Sequence, residues 1–322
     1  PLYRQEKEWE ALGLRLSRAT MSNWLLVVYR DWLVHIVHRL KLELLKQRYL
    51  HIDETHVQVL KEPGRKNTSD SYMWVYCSIR DAVNPIRYFE YQPGRSGKYP
   101  EAFLREYEGY IHTDAYSGYN AVSGVKRCLC YTHLRRAFVD ALPKDIHNSE
   151  ASKPAEAILR LNQLFNIESE LEALPPDQKK KERLIREKPL LEAFWKKKKK
   201  SAIGELPKSK LSKAFHYALN NREGFWNYLE DGNCSISNSL AENCIRPFVI
   251  GRKNWLFSGS PKGAEASAGI YTLVETAKAN GLAPMKYIKY ILSDMPGSAF
   301  LEHPEYLDDY LPWNPLVKEF CR

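Results

Sequence analysis

Asp53 stands in the middle of "RYLHIDETHVQVL", residues 48–60, where alternating bulky residues read as a β-strand and a carboxylate is out of place. Asp114 ends a second strand-like run, "GYIHTDAYSGY". Glu242 stands in "NSLAENCIRPF", just after Asn238, a residue type that caps helix N-termini. At an effective dielectric near 20, two carboxylates about 4 Å apart repel by about 4 kcal/mol, so acids gathered in one place need a cation. Hard oxygen ligands suit a divalent metal. Two such ions about 4 Å apart activate an attacking water or hydroxyl and stabilise the leaving oxygen of an in-line phosphodiester displacement. Each acid also has an ordinary reading. Asp53 could pair with an arginine, Asp114 could cap a turn, and Glu242 could be a first-turn helix acid with Arg246 as its i,i+4 partner. Their joint occurrence in this order favours the metal. Side chains alternate along a strand, so Glu54 points to the other face and reads as structural.

The elements that must position these acids follow from periodicity. Residues 1–47 read as helical. Gly13 serves as a turn, Ser17 as an N-cap, and Ala19, Met21, Trp24 and Leu25 lie on one face, as in a helix-turn-helix; a longer helix over about 24–46 follows. From residue 48 the period becomes alternating: "RYLHIDETHVQVL", "SYMWVYCSIR" and "IRYFEYQ" predict an antiparallel meander. A short helix ("YPEAFLREY"), the strand ending at Asp114, and a fifth strand running into a helix ("VKRCLCYTHLRRAF") come next. Residues 150–232 carry helical periodicity and almost no strand signal, which predicts an all-α insertion. Its acids Glu168, Glu170 and Asp177 are expected on solvated faces and not on metal, and the run Lys196 to Lys200 as a solvated helix end. After residue 232 the pattern predicts a short helix bearing Glu242 that ends or kinks at Pro247. A second helix is predicted over about 263–280, closed by Gly281, and a third over about 284–293. Glu265 and Glu275 compete for the third ligand, but the small residues from Gly263 to Ala268 suggest a closely packed helix.

Three strands, a helix, a strand with a second acid, and later a helix with a third acid is the order of a ribonuclease H-like fold. The predicted class is therefore α/β: a ribonuclease H-like catalytic domain with an N-terminal helix-turn-helix-like region and an all-α insertion. The boundaries are 1–47 for the helical DNA-binding region, 48–149 and 233–295 for the two parts of the core, 150–232 for the insertion and 296–322 for a tail. The stretches "HIDET", "TDAYSGYN", "CYTHLRRAF" and "NSLAENCIRPFVIGRKNWLFSGSPKGAEASAGIYTLVETAKANGL" resemble the insertion sequence 66 family of DDE transposases over about residues 1–295. The resemblance implies Asp53, Asp114 and Glu242 as catalytic residues and ligands of two Mg²⁺ or Mn²⁺ ions. It also implies cleavage at the element's ends followed by strand transfer into target DNA. One departure is Asn243, where the family usually has a basic residue after the glutamate. The chain begins at Pro1 without the family's upstream zinc-binding region, so an upstream segment is expected. The alternatives are a ribonuclease H-like nuclease without joining activity and an inactive DNA-binding regulator.

Composition fits a polyanionic partner. There are 48 Lys and Arg against 39 Asp and Glu, a net charge of +9 with 12% aromatics. Arg18 and Asn23 on the helix-turn-helix-like segment, and Arg246, Arg252, Lys253 and Trp255 after the third acid, are the expected DNA contacts; Trp255 and Phe257 also suit a core. His133 follows Cys130 in a C-x-x-H pair with no second half at zinc spacing, so it is expected near the active site or in the core. The six cysteines have no paired CxxC spacing and are expected as reduced thiols. No apolar run reaches membrane-span length and the start lacks a signal-peptide pattern, so a cytoplasmic, nucleoid-associated protein is expected. The family implies terminal inverted repeats and target DNA as partners, a homo-oligomeric active complex and small accessory proteins.

Overall fold

The computed structural model describes residues 1–143, 152–201 and 206–322; the side chains of 198–201 lie outside that description. The chain divides into two compact units, Pro1–Tyr107 with Leu240–Arg322, and Glu108–Ser239.

The first unit begins with α1 (Leu2–Ala11) and α2 (Arg18–Val28). Gly13, at φ +84°, makes the turn between them, and the Ser17 hydroxyl accepts the Thr20 N–H at 3.1 Å as the N-cap of α2. The predicted cap and turn are therefore present, but α2 does not end as a free recognition helix. It passes through a π-helical turn, Tyr29–Leu33, directly into α3 (Val34–Leu45). Of the predicted apolar face only Met21 is buried; Trp24 and Leu25 are exposed. Ile36, Val37, Leu40 and Leu44 of α3 carry the burial instead.

Strands β1 (Tyr49–Val59), β2 (Asp70–Ser78) and β3 (Arg87–Gln92) form the predicted antiparallel meander, with Asp53 opposite Val75 and Val75 opposite Phe89. The short helix α4 (Lys98–Phe103) follows. One face of the meander, through Val57, Val59, Met73, Val75, Cys77 and Phe89, belongs to the unit's apolar core.

In the second unit β4 (Gly109–Thr113) and β5 (Val125–Leu129) pair in parallel, and α5 (Tyr131–Val139) follows β5. The predicted insertion is helical: α6 (Lys153–Glu170), α7 (Pro176–Glu182), α8 (Lys188–Ser201), α9 (Lys210–Asn220) and α10 (Arg222–Trp226). Glu170 and Asp177 are exposed as expected, but Glu168 is buried. Its carboxylate takes Nε and Nη2 of the fully buried Arg183 at 2.6 and 2.8 Å, because a charge this deep must be paired. Of the lysine run, Lys196 and Lys197 are exposed; the side chains of Lys198 to Lys200 lie outside the described residues.

The chain then supplies the rest of the first unit. Helix α11 (Ser239–Trp255) does not end at Pro247 but runs through it. The carbonyl that loses its helical donor is that of Asn243, a residue exposed on the surface of α11. A two-residue strand, β6 (Phe257–Ser258), pairs in parallel with the end of β1. Helix α12 (Pro261–Ala279) is capped by Ser260, whose hydroxyl accepts the Gly263 N–H, and α13 (Pro284–Asp294) follows Gly281 at φ +71°. Thr272 and Thr276 of α12 accept the Phe89 and Arg87 N–H groups at 2.8 and 3.1 Å, which satisfies donors on strand β3. The segment predicted as a tail is packed. Its α14 (Pro315–Cys321) takes the Ala283 N–H at the Cys321 carbonyl, 2.7 Å, and Tyr310 accepts the Tyr287 hydroxyl at 2.7 Å. Among the described residues no helix is long and apolar enough to cross a membrane.

Candidate active site

In the first unit Asp53 lies half-buried in mid-strand, and its Oδ1 accepts the Glu54 backbone N–H at 2.9 Å. By strand alternation its side chain shares a face with Val57, Val59 and, across the register, Val75 and Cys77. That is the face that α11 and α12 cover through Ala241, Ile245, Phe248, Ala264 and Ala268. Glu242 is the residue after Ala241, half-buried in the first turn of α11, so the sequence places the first and third acids on a strand and on a helix that covers it. Further along, Arg252 Nη1 donates to Thr55 Oγ1 at 2.9 Å and to the His56 carbonyl, which pins the other end of α11 to β1.

Glu54 behaves as alternation requires. Its side chain is almost fully buried on the opposite face and accepts Nε and Nη2 of Arg95 at 2.7 and 2.6 Å. Glu265 is exposed, and Glu275 accepts from Lys278 Nζ at 2.7 Å. Small residues pack α12 closely, as expected: Ala264, Ala266 and Ala268 are buried, and a Cβ on Gly269 would meet the Tyr29 ring at 2.1 Å.

The residues expected to meet DNA are spread over this unit. Arg18 and Asn23 are exposed on α2, and Arg18 Nε lies 3.8 Å from Glu6 Oε2. Arg246 and Lys253 are exposed on α11. Lys253 and Arg252 line a depression of about 430 Å³ with His56, Gln58, Thr68, Asp70 and Leu256. Burial lowers the pKa of the Arg252 guanidinium. Trp255 is half-buried, edge-on to Phe248 with ring centroids 5.3 Å apart, whereas Phe257 is exposed.

In the second unit Asp114 follows β4 immediately and is half-buried. Its Oδ1 accepts the Tyr116 N–H at 2.9 Å, an Asx turn that fixes the carboxylate plane. The turn is held by a residue the sequence reading missed. Arg127 on β5 donates Nε to Thr113 Oγ1 at 2.7 Å, Nη2 to the Asp114 and Tyr116 carbonyls at 2.6 and 2.8 Å, and Nη1 to Asn120 Oδ1 at 2.7 Å. Its planar fork meets four groups of one loop, a role lysine cannot fill. Burial, and then the Asp114 charge, raise the pKa of the neighbouring Tyr217 phenol, which stays protonated. His133 is half-buried in the first turn of α5, and Cys130 before it accepts the Asn238 N–H at Sγ, 3.2 Å.

Residues 1–266 match the model of the transposase IS66 family. Among curated proteins the chain is similar to three uncharacterized proteins of Sinorhizobium fredii (strain NBRC 101917 / NGR234). These are y4qI at 30% identity over 98% of this chain, y4hP at 26% over 97% and y4jD at 26% over 98%. The chain spans 59% of the length of the first two and 62% of the third. No solved structure matches it.

Proposed function

From the chain's membership of the transposase IS66 family, to which it belongs by a match over residues 1–266, we propose that it is the catalytic part of a DDE transposase with a ribonuclease H-like core. It cleaves DNA at the ends of its element and joins the freed 3′-hydroxyl to target DNA. Residues 48–149 and 233–295 contribute the core, and Asp53, Asp114 and Glu242 are the three acids of the family's order. The observation that carries this reading is the placement of Asp53 on the strand face that α11 covers, with Glu242 in the first turn of that helix.

The donor set fits Mg²⁺ or Mn²⁺. The three residues offer only hard carboxylate oxygens, and one oxygen of each aspartate is already fixed by a backbone N–H, Glu54 for Asp53 and Tyr116 for Asp114. Bound divalent cations supply a nucleophile at neutral pH and charge stabilisation for the leaving oxygen. Asp53, in mid-strand on β1, and Asp114, in the turn after β4, would hold them, and Glu242 would complete the ligand set. Arg127 keeps the Asp114 turn from moving, and Arg252 keeps α11 on β1. His133 lies near the reacting phosphate. Exposed Arg18, Asn23, Arg246 and Lys253, with Arg252 and Trp255, meet the DNA backbone and bases.

Duplexes carrying the terminal inverted repeats that flank the coding sequence test this reading when incubated with the protein and Mg²⁺. Nicking at the repeat boundary followed by joining to a second duplex is the expected result. Nicking without joining marks a nuclease, and binding without nicking marks a regulator. An oligomeric active complex and small accessory proteins belong to the same proposal.

A further inference from the structure

The second unit holds a cluster of soft ligands that the proposed phosphoryl chemistry does not use. His112 on β4 and Cys128 on β5 are register partners in the parallel ladder, so their side chains lie side by side on one face. Cys234 reaches them from the segment that leads into α11. All three are buried, and their ligand atoms lie within 4.8 Å of one another. The segment that presents Cys234 is fixed in advance. Arg183 Nη2 donates to the Cys234 carbonyl at 2.8 Å, the Cys234 N–H goes to the Asp231 carbonyl at 3.1 Å, and the Ser235 N–H goes to His112 Nε2 at 2.9 Å.

We propose that His112, Cys128 and Cys234 form a zinc site that ties residues 231–238 to the β4–β5 pair. Two thiolates and an imidazole are the donor set of a soft or borderline d¹⁰ ion, and carboxylate-loving Mg²⁺ is the wrong match for it. On loading, both thiol protons leave to solvent as the two Zn–S bonds form, and a ring nitrogen of His112 supplies the third ligand. Water fills the fourth position. Cys128 and Cys234 stand far apart in sequence on separate elements, so no CxxC spacing announces the site. Residues 231–238 lead in sequence into α11, the helix that bears Glu242.

The test uses the full chain with Asp53→Asn, Asp114→Asn, Glu242→Gln and Cys130→Ser, which removes the acids of the proposed catalytic site and the thiol of the C-x-x-H pair. Expressed with zinc and freed of loose metal by gel filtration, it is expected to keep about one zinc per chain by elemental analysis. Replacement by Co²⁺ is expected to give a thiolate-to-cobalt charge-transfer band. Cys128→Ser and Cys234→Ser should each remove the band. If a serine variant fails to fold, His112→Asn serves in its place, and a full band that survives there overturns the proposal. Absence of both zinc and the band in folded protein overturns the proposal, as does a band that survives Cys128→Ser with Cys234→Ser. A mass spectrum that finds Cys128 and Cys234 joined as a disulfide overturns it too.

Discussion

Arg252 Nη1 donates to Thr55 Oγ1 at 2.9 Å, and so fastens the last turns of α11 to the strand that carries Asp53 two residues earlier. The same guanidinium reaches the His56 carbonyl. An arginine read from sequence as a DNA contact thus has a structural task within its own unit, and its effect on function should pass partly through helix position.

Arg252→Ala is expected to lower the stability of the first unit by about 1–2 kcal/mol, the low end for hydrogen bonds from a charged group because the site is only half-buried. Urea denaturation measures it. If only DNA affinity changes and the unfolding midpoint stays put, the pinning role is wrong.

Arg127→Ala should slow cleavage by about tenfold to a hundredfold, because a ligand displaced by about 1 Å costs that much. DNA affinity at fixed salt should hold. Arg127→Lys is expected to rescue little, since one ammonium cannot meet the four groups that Arg127 meets. Full activity of the alanine variant would show that the Asp114 turn stands without it.

The buried pair of Glu168 and Arg183 sets a larger stability effect. Glu168→Ala removes the carboxylate that pairs with a fully buried guanidinium and should cost about 3–5 kcal/mol in the second unit. Loss of under about 1 kcal/mol on urea denaturation would contradict the ion-pair reading.

Glu187, next to that pair, has its pKa pushed up to about 8 by burial and then by the Glu168 charge. Its folded-state pKa exceeds the ordinary glutamate value of 4.5, so the folded state holds the proton more tightly. The stability this gives is complete below about pH 4.5 and is lost as pH rises through about 8. The unfolding midpoint should therefore drift down across that window, and Glu187→Gln should flatten the drift. An unchanged pH profile in the variant would assign the drift to other groups.

Net positive charge makes DNA affinity a function of salt. With about six phosphates neutralised, affinity should fall roughly a thousandfold between 50 and 200 mM salt, at a slope near −0.9 per phosphate. Fluorescence anisotropy with duplex DNA reads the slope, and a flat line would remove the electrostatic interface.

Much of this was legible in the sequence because one-dimensional patterns carried it. Alternation marked β1 to β3 and put Asp53 and Glu54 on opposite faces, and Ser17 announced its helix by its cap. What stayed hidden depended on contacts between distant residues. Arg127 is an arginine in a strand until its loop folds around it. Glu168 looks like any helix acid until Arg183 comes under it. Strand β6 is two residues long and has no period to read. Pro247 did not end α11, because its neighbours on the helix pack into the apolar core on both sides of it, through Ile245 and Phe248.

Asp53, Asp114 and Glu242 are proposed to act together in metal-dependent DNA cleavage. The most direct test is Mg²⁺-dependent nicking of terminal-repeat duplexes by Asp53→Asn, Asp114→Asn and Glu242→Gln, with Glu265→Gln and Glu275→Gln alongside. Each of the first three should fold, bind DNA with the affinity of the parent chain and lose cleavage, while the last two cleave normally. Normal cleavage by all of the first three would contradict the mechanism, and loss confined to Glu265→Gln or Glu275→Gln would move the third ligand to α12.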